Sequence, residues 1–191
     1  MTSSSATHSP APSVSNPYAC LPQVPTFRLT STSVTDGQPL PVAQLSKMFG
    51  VPGGEDLSPQ LSWSGFPAGT QSFVVSMYDP QAPTGSGFWH WVVADIPADI
   101  TSLPAGAGAL DGAFLPAGAF VLGADAGVYQ YVGGAPPAGS GVHEYYLTVT
   151  ALSVDKTGID QETSAAYLGF IMSGKTLARA TLICPTPAPA A

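Results

Sequence analysis

The chain has 191 residues, the size of one domain with room for a sizeable core. Charged residues reach only 9%, against roughly 25% in an ordinary soluble domain, which excludes a highly charged disordered chain, a coiled coil and a charge-laced long helix. The net charge is −7, and the five basic residues (Arg28, Lys47, Lys156, Lys175, Arg179) are scattered; no stripe exists for nucleic acid, and an anionic membrane surface would repel the chain.

Residues 1–16 are rich in Ser, Thr, Pro and Ala and read as a disordered tail that includes His8. They hold neither an apolar run nor a positive n-region, so they do not resemble a secretory signal. No stretch of about 18 uninterrupted apolar residues follows, and the expected compartment is the cytoplasm. Residues 17–184 then read as a single domain, with 185–191 a short second tail. Cys20 and Cys184 read as unpaired thiols, although a bridge between chain ends that lie close is geometrically open.

Phe27–Ser31 and Leu61–Trp63 are short β-prone segments. Ser72–Tyr78 is a strand, with Phe73, Val75 and Met77 on one face by period-two alternation. Trp89–Ile96 alternates too, which puts Trp89, Trp91 and Val93 on one face and His90, Val92 and Ala94 on the other. Tyr145–Val154 sets Tyr145, Leu147, Val149 and Ala151 together. Residues 164–180 read as a helix capped at Thr163 or Ser164 and interrupted near Ser173–Gly174. Short strands, little helix and the 21 glycines and 20 prolines point to a mainly β domain of sandwich or barrel type.

The body of this domain holds two histidines, His90 and His143. Each follows a proline-stiffened, glycine-bearing loop, residues 79–89 and 133–142 respectively, and such loops can frame a rigid mouth at little ordering cost. Asp79 ends its strand before Pro80; it is either a turn initiator or a carboxylate that fixes an imidazole tautomer. Tyr145 shares a face with His143 and is either core or a donor to a ligand oxygen. Together these residues admit a facial metal site, acid–base chemistry or an anion pocket. The spacing demands no metal: neither H-x-E nor H-x-x-x-H occurs. No G-x-S-x-G elbow is present, and Ser62, Ser86 and Ser140 lack a distinguishing context. No cofactor is called for.

Asp79-Pro80-Gln81-Ala82-Pro83, with Gly87-Phe88-Trp89-His90-Trp91, resembles the D-P-D-A-P…H-W signature of the phosphatidylethanolamine-binding protein family. Gly134-Ala135-Pro136-Pro137-Ala138-Gly139-Ser140-Gly141-Val142-His143-Glu144-Tyr145 is similar to that family's G-x-P-P-x-G-x-x-x-H-R-Y segment, and Ser58-Pro59-Gln60-Leu61-Ser62-Trp63 to its S-P-x-L-S-W. The likeness spans Phe27 to Cys184 and points to the bacterial branch, often labelled Raf-kinase-inhibitor-like. It implies a large antiparallel sheet packed on a smaller one with short peripheral helices, and a small anion pocket at one end. By position, Asp79, His90, His143 and Tyr145 would line that pocket and Pro136 and Pro137 would shape its rim. Ala82–Pro83 would be a cis bond. Phosphate, sulfate, acetate or a phospholipid headgroup would be the ligand, and a homodimer the assembly. Gln81 replaces a usual aspartate, Glu144 a usual arginine, and Ala135 a usual Gly or Cys.

Three functions follow as expectations. The first is a non-catalytic anion-binding protein, tightening as imidazoles protonate. The second is an enzyme using the same residues for acid–base work. The third is an interaction or inhibitor module acting through exposed Pro/Gly loops, including Leu103–Gly112.

Overall fold

The computed structural model describes residues 16–191. Eight strands and one α-helix form two antiparallel sheets. The small sheet runs β1 (Arg28–Thr30), β2 (Leu61–Ser64), β5 (Ser102–Leu103). The large sheet runs β6 (Phe120–Val121), β4 (Phe88–Pro97), β3 (Ser72–Asp79), β7 (Val142–Leu152), β8 (Thr176–Pro187). The mainly β, two-sheet architecture agrees with the expectation from sequence.

The large sheet is buried on both sides. Its inner face sends Phe73, Val75, Met77, Trp91, Val93, Tyr145, Leu147 and Val149 against Leu61, Trp63 and Leu103 of the small sheet. Its outer face sends Val74, Val92, Ala94 and Leu152 against Ala165 and Leu168 of α1 (Ala165–Ile171). This explains why β3 is almost continuously apolar: a strand covered on both faces has no solvent side to alternate toward.

Two stretches differ from the sequence reading. The predicted helix over 164–180 is α1 only as far as Ile171; Ser164 caps it, its Oγ accepting from the Tyr167 amide at 3.2 Å. After the Ser173–Gly174 turn the chain becomes β8, whose buried residues fall at alternate positions, Ala178 through Thr186. Ala, Leu and Arg are strong helix formers, and that propensity masked a period-two pattern decided by tertiary pairing.

The expected tail at 185–191 is in part the end of the same strand. Glu144, His143 and Val142 pair with Pro185, Thr186 and Pro187. Proline is tolerated because β8 lies at the sheet edge, where an amide need not serve a neighbour. Asn16 apart, the N-terminal tail expected at 1–16, with His8, lies outside the described residues. Cys20 is exposed, Cys184 is buried, and both are free. Among the described residues no helix is long and apolar enough to cross a membrane.

Candidate functional site

Asp79 is the last residue of β3, and β7 carries His143 and Tyr145. Antiparallel pairing brings these strand ends together. His143 and Tyr145 point to the same side of β7, as period two requires, and Glu144 points away, taking a hydrogen bond from the Tyr146 hydroxyl at 2.9 Å. The charge reversal at Glu144 therefore sits on the opposite side of the sheet from the imidazole.

His90 reaches the cluster by a different route. Met77 pairs with Trp91 and Tyr78 with Trp89, leaving His90 surplus in a β-bulge. A bulge breaks the alternation of faces, so the face reading from sequence is wrong here. Trp89 turns outward with Tyr78, their rings 4.3 Å apart, while His90 shares the inner side with Trp91. The His90 ring lies 5.2 Å from that of Tyr145 and 4.7 Å from that of Phe88.

The four polar residues are buried, His90 most exposed at 4%. The Asp79 carboxylate takes the Gln81 amide on Oδ1 at 2.9 Å and His143 Nδ1 on Oδ2 at 2.7 Å. It is thus both turn initiator and imidazole partner. Gln81 in turn accepts the Glu144 amide at 3.1 Å and ties the loop to β7. His90 Nδ1 donates to the Val132 carbonyl at 2.9 Å, because a carbonyl can only accept. Both rings thus commit Nδ1 to the protein, and Nε2 is the second nitrogen of each, that of His143 facing Ser140 Oγ at 2.8 Å.

Burial pushes the His90 imidazole below its ordinary value, against the opposing pull of the Val132 carbonyl and the Asp79 charge. Burial, reinforced by Asp79, raises the Tyr145 hydroxyl, which stays protonated. That hydroxyl accepts the Ala135 amide at 3.1 Å, so its own proton remains available.

The 133–141 loop supplies a residue that sequence reasoning passed over. Ser140 Oγ lies 2.8 Å from His143 Nε2 and 2.6 Å from the Pro137 carbonyl. One hydroxyl proton can serve only one of these acceptors. The signal available in the sequence was a serine three residues before a histidine inside a Gly-Ser-Gly turn. Pro136 is half-buried and Pro137 exposed, both on this loop. Gly133 and Gly134 let it press against the 44–46 segment: a Cβ on Gly133 would fall 2.3 Å from the Leu45 carbonyl carbon. At the other end, Gly139 donates to the Pro189 carbonyl at 2.9 Å and Ala188 to the Gly141 carbonyl at 2.7 Å.

Ala82–Pro83 is trans, since no cis peptide bond occurs among the described residues. The trans form is the default for X–Pro, and this loop closes through the Thr84 amide on the Ala82 carbonyl and the Thr84 hydroxyl on the Gly87 carbonyl. Among the described residues no group of three or more His, Cys, Asp or Glu is arranged to hold a metal ion.

The two-sheet fold and this His/His/Asp/Tyr cluster can now be set beside known proteins. The phosphatidylethanolamine-binding protein family model matches residues 30–186, so the chain belongs to that family. Among relatives, it is 42% identical to the UPF0098 protein YbcL of Escherichia coli over 160 residues, 84% of this chain and 87% of that one. It is 43% identical to UPF0098 protein YbhB of the same organism over 156 residues, 82% and 97% of the two chains. The crystal structure of E. coli YbcL, described as a member of the mammalian PEBP family, superimposes with a TM-score of 0.80 at 41% identity, covering 84% of this chain and 97% of that one.

Proposed function

We propose that this protein binds a small oxyanion without turning it over, and that Asp79, His90, His143 and Tyr145 hold the ligand. Phosphate, sulfate, acetate or a phosphate-bearing headgroup would satisfy the same donors. One observation carries this reading: both imidazoles anchor Nδ1 on protein acceptors and keep Nε2 for something else. Ser140, exposed on its loop, occupies the His143 Nε2 position where a ligand oxygen would sit. Tyr145 adds a neutral hydroxyl donor, and Pro136 and Pro137 stiffen the rim.

A chain of net charge −7 opposes anion capture unless the site gains positive charge locally. Protonation at Nε2 gives each ring a second donor and a positive charge, so binding strengthens as pH falls. Calorimetric titration with sulfate tests this directly. Tighter binding at pH 6 than at pH 8, lost in His90→Gln and His143→Gln, supports the reading; a flat or inverted profile overturns it. In its wider form the proposal is a cytoplasmic homodimer. Two free thiols suit a reducing compartment, and light scattering of the purified chain measures the assembly.

A specific geometry favours a second reading, catalysis at the same place. Asp79 Oδ2, His143 Nδ1, His143 Nε2 and Ser140 Oγ form a continuous relay with links of 2.7 and 2.8 Å. A nucleophile, a base and a group that orients the base are in hydrogen-bond reach, which is what an activated serine requires. The Pro137 carbonyl competes for the serine proton. A fluorophosphonate probe decides: a covalent adduct on Ser140 that disappears in His143→Gln establishes the nucleophile, and no adduct leaves the binding reading.

A further inference from the structure

A cavity of about 570 Å³ lies on the other side of the large sheet, between its outer face, α1 and the segment Pro17–Val24. It shares no wall with the Asp79/His90/His143 cluster, which faces inward. Its volume falls within the roughly 300–1,000 Å³ of small-molecule pockets. Val74, Val92, Leu168 and Phe170 give it an apolar body.

Ser76, Tyr78, Ser173 and Thr176 also line it, and its one charged group is Arg179. Thr150 and Arg179 are cross-strand partners on β7 and β8, and both line the cavity with Tyr18. Thr150 is only 4% exposed. The Tyr18 hydroxyl is buried beside Ser76 and Thr148, with no well-formed hydrogen bond among the described residues. Arg179 stacks over the Tyr18 ring, its guanidinium carbon 5.0 Å from the centroid, and no carboxylate pairs with it among the described residues. Buried polar groups normally find partners, and a half-buried guanidinium normally finds an acid. A guanidinium with no acid partner, stacked on a tyrosine whose own hydroxyl is unsatisfied, opens on an apolar chamber and suits a ligand with a head and a tail.

We infer that this cavity binds an amphipathic carboxylate, with the carboxylate on Arg179, Thr150 and Tyr18 and an alkyl chain of about ten carbons along Val74, Val92 and Leu168. A guanidinium pairs with a carboxylate through two parallel hydrogen bonds, and the hydroxyls supply the remaining donors. This is independent of the oxyanion proposal, and the two ligands should not compete.

Trp89 borders the cavity and reports on it. Decanoate titrated into the full chain below its micellar concentration should change the tryptophan emission saturably, and Trp89→Phe should abolish the change. Decanol, with the same tail, tests the head. Arg179→Gln should weaken decanoate about tenfold or more and leave decanol unchanged. Gly169 lines the cavity, and a Cβ at that position would meet no atom within 4 Å, so Gly169→Leu should exclude both ligands while preserving the helix. Saturating sulfate and His143→Gln should leave decanoate binding intact. Equal decanoate affinity in Arg179→Gln overturns the proposal, as does the absence of a saturable signal. Binding seen only after deletion of residues 1–15 also overturns it, because the chain would then fill its own cavity.

Discussion

His143 and Asp79 are joined by a 2.7 Å hydrogen bond between residues 64 positions apart in the chain. Both are nearly inaccessible, at 1% and 2%, so the bond fixes the ring where water cannot compete for it. Its chemical consequence is directional: the carboxylate takes Nδ1–H, and Nε2 is turned toward the 133–141 loop.

Anion binding should therefore carry protons with it. Sulfate does not titrate between pH 6 and 8, so any proton taken up belongs to the protein. Calorimetry at pH 7 in two buffers of different ionisation enthalpy should give an uptake of about one proton per sulfate. His90→Gln should reduce it. Uptake near zero in the native chain contradicts a gain of positive charge on binding.

Stability without ligand should move the opposite way with acid. Burial holds the His90 imidazole below its ordinary value in the folded chain. Above about pH 6.5 the ring is neutral in both states and contributes no pH dependence. Below that, the unfolded chain binds the proton more readily, and stability falls as pH drops. Urea midpoints at pH 7.5, 6.5 and 5.5 should decline, and His90→Gln should flatten the decline. An unchanged slope in the variant assigns the effect to other groups.

Gly87 and Gly85 make a matched pair in one loop, with φ of +73° and +79°. A Cβ at Gly85 meets nothing within 4 Å, whereas at Gly87 it falls 2.2 Å from the Tyr78 hydroxyl and 2.8 Å from the Asp79 carbonyl oxygen. Gly85→Ala should cost about 1–2 kcal/mol from the backbone alone. Gly87→Ala should cost about 1–3 kcal/mol more for the clash. Equilibrium denaturation measures both, and equal losses would show that Tyr78 yields freely.

Removing residues 185–191 should damage the site without touching its polar residues. The truncation strips the β8 partners of His143 and Glu144 and both backbone hydrogen bonds between the 139–141 turn and residues 188–189. Each lost backbone bond is worth about 0.5–1.5 kcal/mol. Sulfate affinity should fall about tenfold, and the Gly139 amide should lose its protection from hydrogen exchange. Undiminished affinity would mean that Pro136 and Pro137 suffice to hold the loop.

Much of the frame was readable from spacing. Phe73, Val75 and Met77 alternate as a strand must, and Tyr145 through Ala151 do the same, so β3 and β7 emerge directly. The positions of Asp79 and His143 follow, since each sits where a strand meets a proline-rich loop. What escaped depended on partners distant in the chain. The two-residue strands β5 and β6 exist because a neighbour offers a ladder, and their own composition is unremarkable. Thr176–Pro187 carries helix-forming residues and proline, and only pairing with β7 makes it a strand. Ser140 carries a local mark, its Gly-Ser-Gly turn three residues before a histidine, but the meaning of that mark depends on where the His143 ring is anchored, and that depends on Asp79.

The surplus residue at position 90 makes strand β4 count differently on its two sides. Beyond it the parity of the sequence is inverted, which lets His90 and Trp91 share the inner side while Trp89 stands outside with Tyr78. Deleting His90 would restore regular pairing with Trp91 still opposite Met77, Trp89 opposite Tyr78 and Phe88 opposite Asp79. The flanking rings would keep their sides, and only the imidazole would be lost. The added residue thus places a polar ring among inward neighbours without disturbing either face.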